Sequence, residues 1–274
     1  MKIVMKSRKK WWKRFYEGNV YRHKTGEIIR SDALKFLESL RNGCADIVFL
    51  DPPFNLGKRY GRNGRAADRK NEHEYLKYMK QIIKRSAEIL RRGGVLYLYH
   101  IPKWAIQLAP VIEKHLQFRH WIAISMKNSF VRGKHLYPAH YALLYYTKGE
   151  PTVFNRPKIP LPLCRKCRKE LKDYGGYRKY LGDGINLSDV WDDISPVRHS
   201  KYKHRSANEL PQDITDRIVT ISGVRGGLLI DPFVGSGTSL VSAIKQGMEF
   251  VACDSDRTSV AVAVKRITNR QTKG

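Results

Sequence analysis

The sequence predicts an α/β fold built on a parallel sheet. Three observations predict it. From Gly26 to Arg270, apolar runs of strand length alternate with segments of helical spacing, the pattern of parallel strands joined by helical crossovers. Two apolar runs pass directly into loops rich in proline or glycine, Asp51-Pro-Pro-Phe54 and Asp231-Pro-Phe-Val-Gly-Ser-Gly-Thr238. The chain has 274 residues, 42% of them hydrophobic, which suits one large domain carrying a sizeable insertion.

The elements follow in order. Residues 1–24 are dense in lysine, arginine and aromatics, including Trp11, Trp12, Phe15 and Tyr16. They read either as a basic arm tracking phosphates or as an aromatic plug against the body. Gly26–Arg30 reads as a short strand, Asp32–Leu40 as a helix with leucines on one face, and Asp46–Leu50 as a buried strand. Helical spacing of Tyr75, Leu76, Met79, Ile82, Ile83, Ala87 and Leu90 places a helix over Asn71–Leu90, stopping at Gly93-Gly94 before a strand at Val95–Tyr99. A helix over Trp104–Leu116 and strands near Trp121–Ser125 and Tyr141–Tyr146 complete this half.

Residues 151–205 break the pattern with prolines, glycines and basic residues and read as loops and short elements; a connection this long is normally functional or disordered. The α/β pattern then returns. It gives a helix over Pro211–Ser222, a strand at Gly227–Ile230, the glycine-rich turn, a helix over 239–246, a strand at Glu249–Cys253 and a helix over Arg257–Arg270. The divisions are thus 1–24, 25–150, 151–205 and 206–274.

Lys and Arg number 52 against 25 Asp and Glu, a net charge of +27. A surface this positive calls for a polyanionic partner and predicts strongly salt-dependent association with it. No apolar stretch follows the basic start to make a signal peptide, and no later run approaches a membrane-spanning length. Four cysteines do not make the framework of a small secreted fold. DNA or RNA is favoured over an anionic membrane as that partner, and a soluble intracellular, cytoplasmic protein is expected.

The turn Asp231-Pro232-Phe233-Val-Gly235-Ser236-Gly237-Thr238 lies between a strand and a helix. Its glycines permit a tight turn and close ligand approach, and the helix start offers free N–H groups. It lacks the Gly-Lys-Ser/Thr ending of a phosphate-binding loop and is no complete dinucleotide fingerprint. Asp254 ends the next strand, 19 residues after Gly235 (254 − 235). An acid so placed can accept ribose hydroxyls; the alternative is a helix cap. Together the turn and the acid favour a nucleoside-bearing cofactor.

In Asp51-Pro52-Pro53-Phe54, two prolines fix φ and remove two N–H donors. An acid and a carbonyl held rigidly can accept hydrogen bonds from an exocyclic amine, and Phe54 can stack on the ring that bears it.

These two motifs, in this order, resemble those of the amino-methylating DNA methyltransferases, in particular their circularly permuted β class. The resemblance extends from about Gly26 to Arg270. It implies a Rossmann-like, seven-stranded, mostly parallel sheet with helices on both faces. It also implies S-adenosyl-L-methionine as cofactor, double-stranded DNA as substrate and no catalytic metal. Asp51, Pro52, Pro53 and Phe54 match the catalytic motif. Asp231 to Phe233, Gly235 to Thr238, Asp254 and, at the adenine-contacting position, Asp32 match cofactor positions. Asn208–Asp213 resembles the segment near the methionine end, with Glu209 and Leu210 in place of a polar–basic pair. Trp121–Tyr146, carrying Lys127 and His140, resembles the base-pocket element. Asp at the first motif position accompanies N6-adenine activity in this family, with N4-cytosine as the alternative. The target base must be flipped out of the duplex. Methylation at carbon 5 would need a Pro-Cys nucleophile, and the sequence has none. An RNA methyltransferase and a catalytically silent DNA-binding scaffold are further alternatives.

The β class places target recognition in the central insert. Here Arg165, Lys166, Arg168, Lys169, Arg178 and Lys179 are interleaved with tyrosines, and Arg198, Lys201, Lys203 and Arg205 form a second basic cluster. They read as phosphate and groove contacts, or as a solvated basic face. Cys164-Arg-Lys-Cys167 has the spacing of half a zinc knuckle without its other half; free thiols are the simpler reading. The resemblance allows a cognate restriction endonuclease and a homodimer as partners, without an interface signature in the sequence.

Overall fold

The computed structural model describes residues 11–13, 20–56, 59–60, 66–67, 71–125, 134, 136, 139–161, 167, 184–195 and 209–268. The elements are β1 (Val20–His23), β2 (Gly26–Arg30), α1 (Ala33–Ser39), β3 (Ala45–Leu50), β4 (Arg59–Tyr60), β5 (Ala66–Ala67), α2 (Glu72–Ile89), β6 (Leu90–His100) and α3 (Pro102–Glu113). They continue with β7 (Gln117–Ser125), β8 (His140–Thr147), β9 (Lys158–Ile159), β10 (Ile185–Asn186), β11 (Val190–Trp191), α4 (Gln212–Ser222), β12 (Leu228–Asp231), α5 (Thr238–Lys245), β13 (Glu249–Asp254) and α6 (Arg257–Thr268).

Nine strands form the main sheet in the order β1-β2-β13-β12-β3-β6-β8-β7-β11. The five central strands from β2 to β6 are mutually parallel, while β8 runs antiparallel to both β6 and β7. The expectation of seven strands is corrected at both edges. The hairpin partner β1 pairs antiparallel with β2, and β11, from the region read as loops and short elements, pairs parallel with β7. Two-residue strands such as β11 carry no readable periodicity, which is why the sequence hides them.

Strand side chains alternate between two cores, as the period of two requires. Val48 and Leu50 of β3, Leu96 and Leu98 of β6 and Val251 of β13 face a core shared with Phe36, Met79, Ile82, Trp104 and Leu108. Ile47, Phe49, Val95, Tyr97 and Phe250 face the other, shared with Ile214, Ile218, Leu240, Val260 and Ile267. Helices α1 to α3 therefore cover one face and α4 to α6 the other. Burial on both faces explains why the central strands read as continuous apolar runs.

The boundary between α2 and β6 differs from the sequence reading. Helix α2 stops at Ile89 and β6 begins at Leu90, before the two glycines. The β3–β6 register shifts between Ala45 and Ile47, so Gly93-Gly94 lies in a bulge inside the strand. Gly93 has φ +77°, and a Cβ there would meet the Thr152 hydroxyl at 2.1 Å. The helix end is held instead by Lys148, whose ammonium donates to the carbonyls of Ala87 and Leu90 at 2.7 and 2.8 Å.

Trp11 and Trp12 are packed into the first core. The Trp12 indole meets Phe36 edge-on and donates to the buried Glu27 carboxylate at 3.0 Å; the backbone bridges to Leu40. Phe15, Tyr16 and the basic residues of 1–10 lie outside the described residues. Truncating a buried tryptophan costs about 3–5 kcal/mol. Trp12→Ala is therefore expected to lower stability by that order, read as a shifted urea-unfolding midpoint.

Candidate active site

The parallel sheet changes winding direction between β12 and β3, and ligands bind at the carboxyl edge of such switch points. Both loops singled out in the sequence emerge there. Leu229 and Ile230 of β12 pair with Ile47 and Val48 of β3, so Asp231 and Asp51 leave adjacent strands on the same edge. Asp51, Asp231, Phe233, Gly235, Ser236, Thr238 and Leu210 line one cleft of about 260 Å³, counted out to solvent.

The glycine-rich turn is built for close approach. Gly235 and Gly237 have φ of +50° and +79°, in the left-handed region that glycine tolerates. Gly237 is the N-cap of α5 and offers no side-chain cap, which leaves the helix start able to bind an acceptor. A Cβ at Gly237 would meet Ala263 of α6 at 3.1 Å. Asp254 accepts the Gly235 N–H at 3.0 Å and the Asp256 N–H at 2.8 Å, tying the end of β13 to the turn. Asp256 instead caps α6 by accepting from Ser259 at 2.9 Å. Asp32 is the N-cap of α1, accepting from Leu34 and Lys35, with the Tyr78 hydroxyl at 3.4 Å.

Asp231 braces the turn from below. Its carboxyl accepts from the Phe233 N–H at 2.9 Å and from the Ser239 hydroxyl. Burial lifts its pKa from 3.8 to about 7, with the bonds from Ser239 and Phe233 opposing and the charges of Asp51 and Asp254 adding. A carboxyl whose folded pKa is raised stabilises fully below its unfolded pKa and loses that contribution as pH rises through the folded value. The stability advantage of wild type over Asp231→Asn is therefore expected to shrink between about pH 4 and about pH 7, as measured by urea midpoints.

A second network locks the turn to α4 and α6. Arg266 donates to Glu209 at 3.0 Å, to the Ser236 and Thr238 hydroxyls at 3.1 and 2.9 Å, and to the Gln212 side-chain amide oxygen Oε1 at 2.9 Å. Gln212 in turn donates to the Thr238 carbonyl at 3.1 Å. The charge of Glu209 is thus met by Arg266, a residue that no sequence motif marks.

The Asp51 loop is held by aromatic residues that the sequence reading missed. The Tyr75 hydroxyl donates to the Pro53 carbonyl at 2.9 Å, and the Trp104 indole to the Phe54 carbonyl at 2.9 Å. Phe54 stacks on His100 at 5.0 Å between ring centroids and lies 5.9 and 5.7 Å from Tyr99 and Tyr141. Burial raises both tyrosines' pKa values, and the charge of Asp51 adds, so each stays un-ionised beside Phe54. Asn55 leaves the loop with φ +53°, a conformation asparagine tolerates better than most residues. The only signal for these residues was their place: Tyr75 opens the apolar face of α2, and His100 ends a strand.

Lys127, Arg165, Lys166, Arg168, Lys169, Arg178, Lys179, Arg198, Lys201, Lys203 and Arg205 lie outside the described residues, as does Cys164. Cys167 is exposed, and Cys253 is buried with its thiol donating to the Pro232 carbonyl at 3.3 Å. Among the described residues no group of three or more His, Cys, Asp or Glu side chains is arranged to hold a metal, and no helix is long and apolar enough to cross a membrane.

A glycine turn and a proline-held acid thus flank one cleft at the switch point. The chain belongs to the DNA methylase family (N6_N4_Mtase), whose model matches residues 45–265. The type II methyltransferase M.BamHI of Bacillus amyloliquefaciens is 40% identical over 228 residues, covering 82% of this chain and 53% of that protein. The chain thus spans about half the length of that relative. Among solved structures, the PvuII DNA methyltransferase (cytosine-N4-specific) superposes with a TM-score of 0.64 at 14% identity, covering 92% of this chain and 93% of that one. The M1.HpyAVI–SAM complex gives 0.61 at 16% identity, covering 88% and 98%.

Proposed function

We propose that this protein transfers a methyl group from S-adenosyl-L-methionine to the N6 amine of a flipped-out adenine in duplex DNA. The observation that carries the reading is the convergence of Asp51 and the Gly235–Thr238 turn on one cleft. The residues fit the cofactor. The α5 start, bare of a side-chain cap, suits its carboxylate, the acids at the ends of β13 and β2 suit its ribose and adenine, and the positive φ at Gly235 and Gly237 admits close contact. When bound, the cofactor supplies an electrophilic methyl group on a sulfonium.

The chain's own residues do the rest. Asp51 and the Pro52 carbonyl accept the two amino hydrogens and draw the nitrogen lone pair out of conjugation with the ring. The loop is preorganised, so little reorganisation is needed as charge develops. Phe54 receives the flipped base by stacking, offsetting part of the few kcal/mol of unstacking.

Catalytic loop first, residues 151–205 next and cofactor turn last is the order of the circularly permuted β class, with the basic insert as target-recognition segment. The aspartate at position 51 supports adenine; the structural likeness to the cytosine-N4-specific PvuII enzyme supports cytosine N4 as the second reading. Likeness to type II enzymes supports a restriction endonuclease as functional partner. The class is tested by methyl transfer from labelled cofactor to unmethylated duplex DNA, with RNA of the same sequence alongside. Label in the duplex is expected; label in RNA alone would overturn the DNA reading.

A further inference from the structure

Two consecutive carbonyls of the Asp-Pro-Pro-Phe loop are held from three different elements. Tyr75 of α2 takes the Pro53 carbonyl at 2.9 Å and Trp104 of α3 takes that of Phe54 at 2.9 Å. At the end of β6, His100 lies 2.6 Å from the Tyr75 hydroxyl through Nε2. Its Nδ1 accepts the Ile101 N–H at 2.9 Å, so Nδ1 carries no proton. A neutral ring must then carry its proton on Nε2 and donate to Tyr75, whose own proton goes to Pro53. The direction of the chain of hydrogen bonds is fixed: His100 to Tyr75 to the Pro53 carbonyl. His100 is fully buried, and Phe54 stacks on its other side.

We propose that Tyr75 and His100 act as a positioning relay that sets the orientation of the catalytic loop. The proposal rests on the reading of Asp51 to Phe54 as catalytic. Prolines fix φ at positions 52 and 53, and Pro53 confines ψ of Pro52, but ψ of Pro53 and of Phe54 stays free. The bonds to the Pro53 and Phe54 carbonyls remove these two ψ freedoms, and His100 supplies the floor on which the Phe54 ring rests. Loss of the relay therefore leaves the loop in place but loosens the direction in which it presents Asp51 and the Phe54 ring.

The test combines kinetics with a readout independent of turnover. In single-turnover assays Tyr75→Phe is expected to slow methyl transfer about 10–100-fold, the order of effect of a small misplacement. Affinities for S-adenosylmethionine and duplex DNA should stay within about threefold of wild type. His100→Gln, whose amide can still donate toward Tyr75, should retain more of the rate than His100→Leu. Nitrogen-15 histidine spectra of the full chain, with His100 assigned by its absence from His100→Gln, should show the neutral Nε2–H form. A Tyr75→Phe rate equal to wild type, or an Nδ1–H or charged His100, would overturn the relay. Absence of transfer by the wild type would instead count against the proposed function, and the spectra would still decide the relay.

Discussion

Asp51→Ala is expected to slow methyl transfer to duplex DNA by about 10²–10³-fold, the effect of removing one preorganised polar group from a transition-state site. Affinity for DNA and for S-adenosylmethionine should be nearly retained. The carboxylate lies at the mouth of β3 near Tyr99, Tyr141 and Asp231, whose pKa values are raised chiefly by burial and further by its charge. Its removal therefore leaves the loop's backbone bonds to Tyr75 and Trp104 intact while deleting the acceptor for the amine. Single-turnover rates and equilibrium binding, measured side by side, separate the two effects. A variant that loses DNA binding but turns over normally at saturation would sink the assigned role.

A loss of stability as large as that expected for Trp12→Ala is expected at Arg266. Its guanidinium side chain is 13% exposed and that of its partner Glu209 is 2% exposed. Breaking a buried pair from one side costs about 3–5 kcal/mol, because the remaining charge loses its counterion. Arg266→Leu should lower stability by that order and weaken cofactor binding, since the same guanidinium holds Ser236 and Thr238 of the turn. Adding Glu209→Gln should recover part of the loss, because a neutral amide needs no cation. Urea unfolding of the two single variants and the double variant measures the coupling. An additive cycle would show that the pair does not act as a unit.

The central strands, the two loops and the pairing of Asp254 with the glycine turn were legible in the sequence because each is a local signal. Apolar runs bounded by glycine or proline mark buried strands, and a turn's residue types follow from its backbone. Three features were not legible, each for a physical reason. The bulge at Gly93-Gly94 depends on the register between β3 and β6, which is a property of the pair. β11 is held by pairing with β7 and by the buried Trp191, not by a pattern of its own. The groups that orient the site come from residues remote in the chain. Tyr75 and His100 looked like ordinary members of a helix face and a strand end, and Arg266 like one more basic residue on the last helix. Glu209 looked like a departure from the family pattern; its charge is answered from α6, which no linear motif encodes.

The most direct measurement is incubation with unmethylated duplex DNA and isotope-labelled S-adenosylmethionine, followed by digestion to nucleosides and mass spectrometry, with Asp51→Ala in parallel. Labelled N6-methyladenine, absent from the variant's reaction, is the predicted result. Labelled N4-methylcytosine would keep the chemistry of the loop and overturn the choice of base. No methylated amino base, with binding of DNA and cofactor demonstrated in the same preparation, would contradict the proposed reaction.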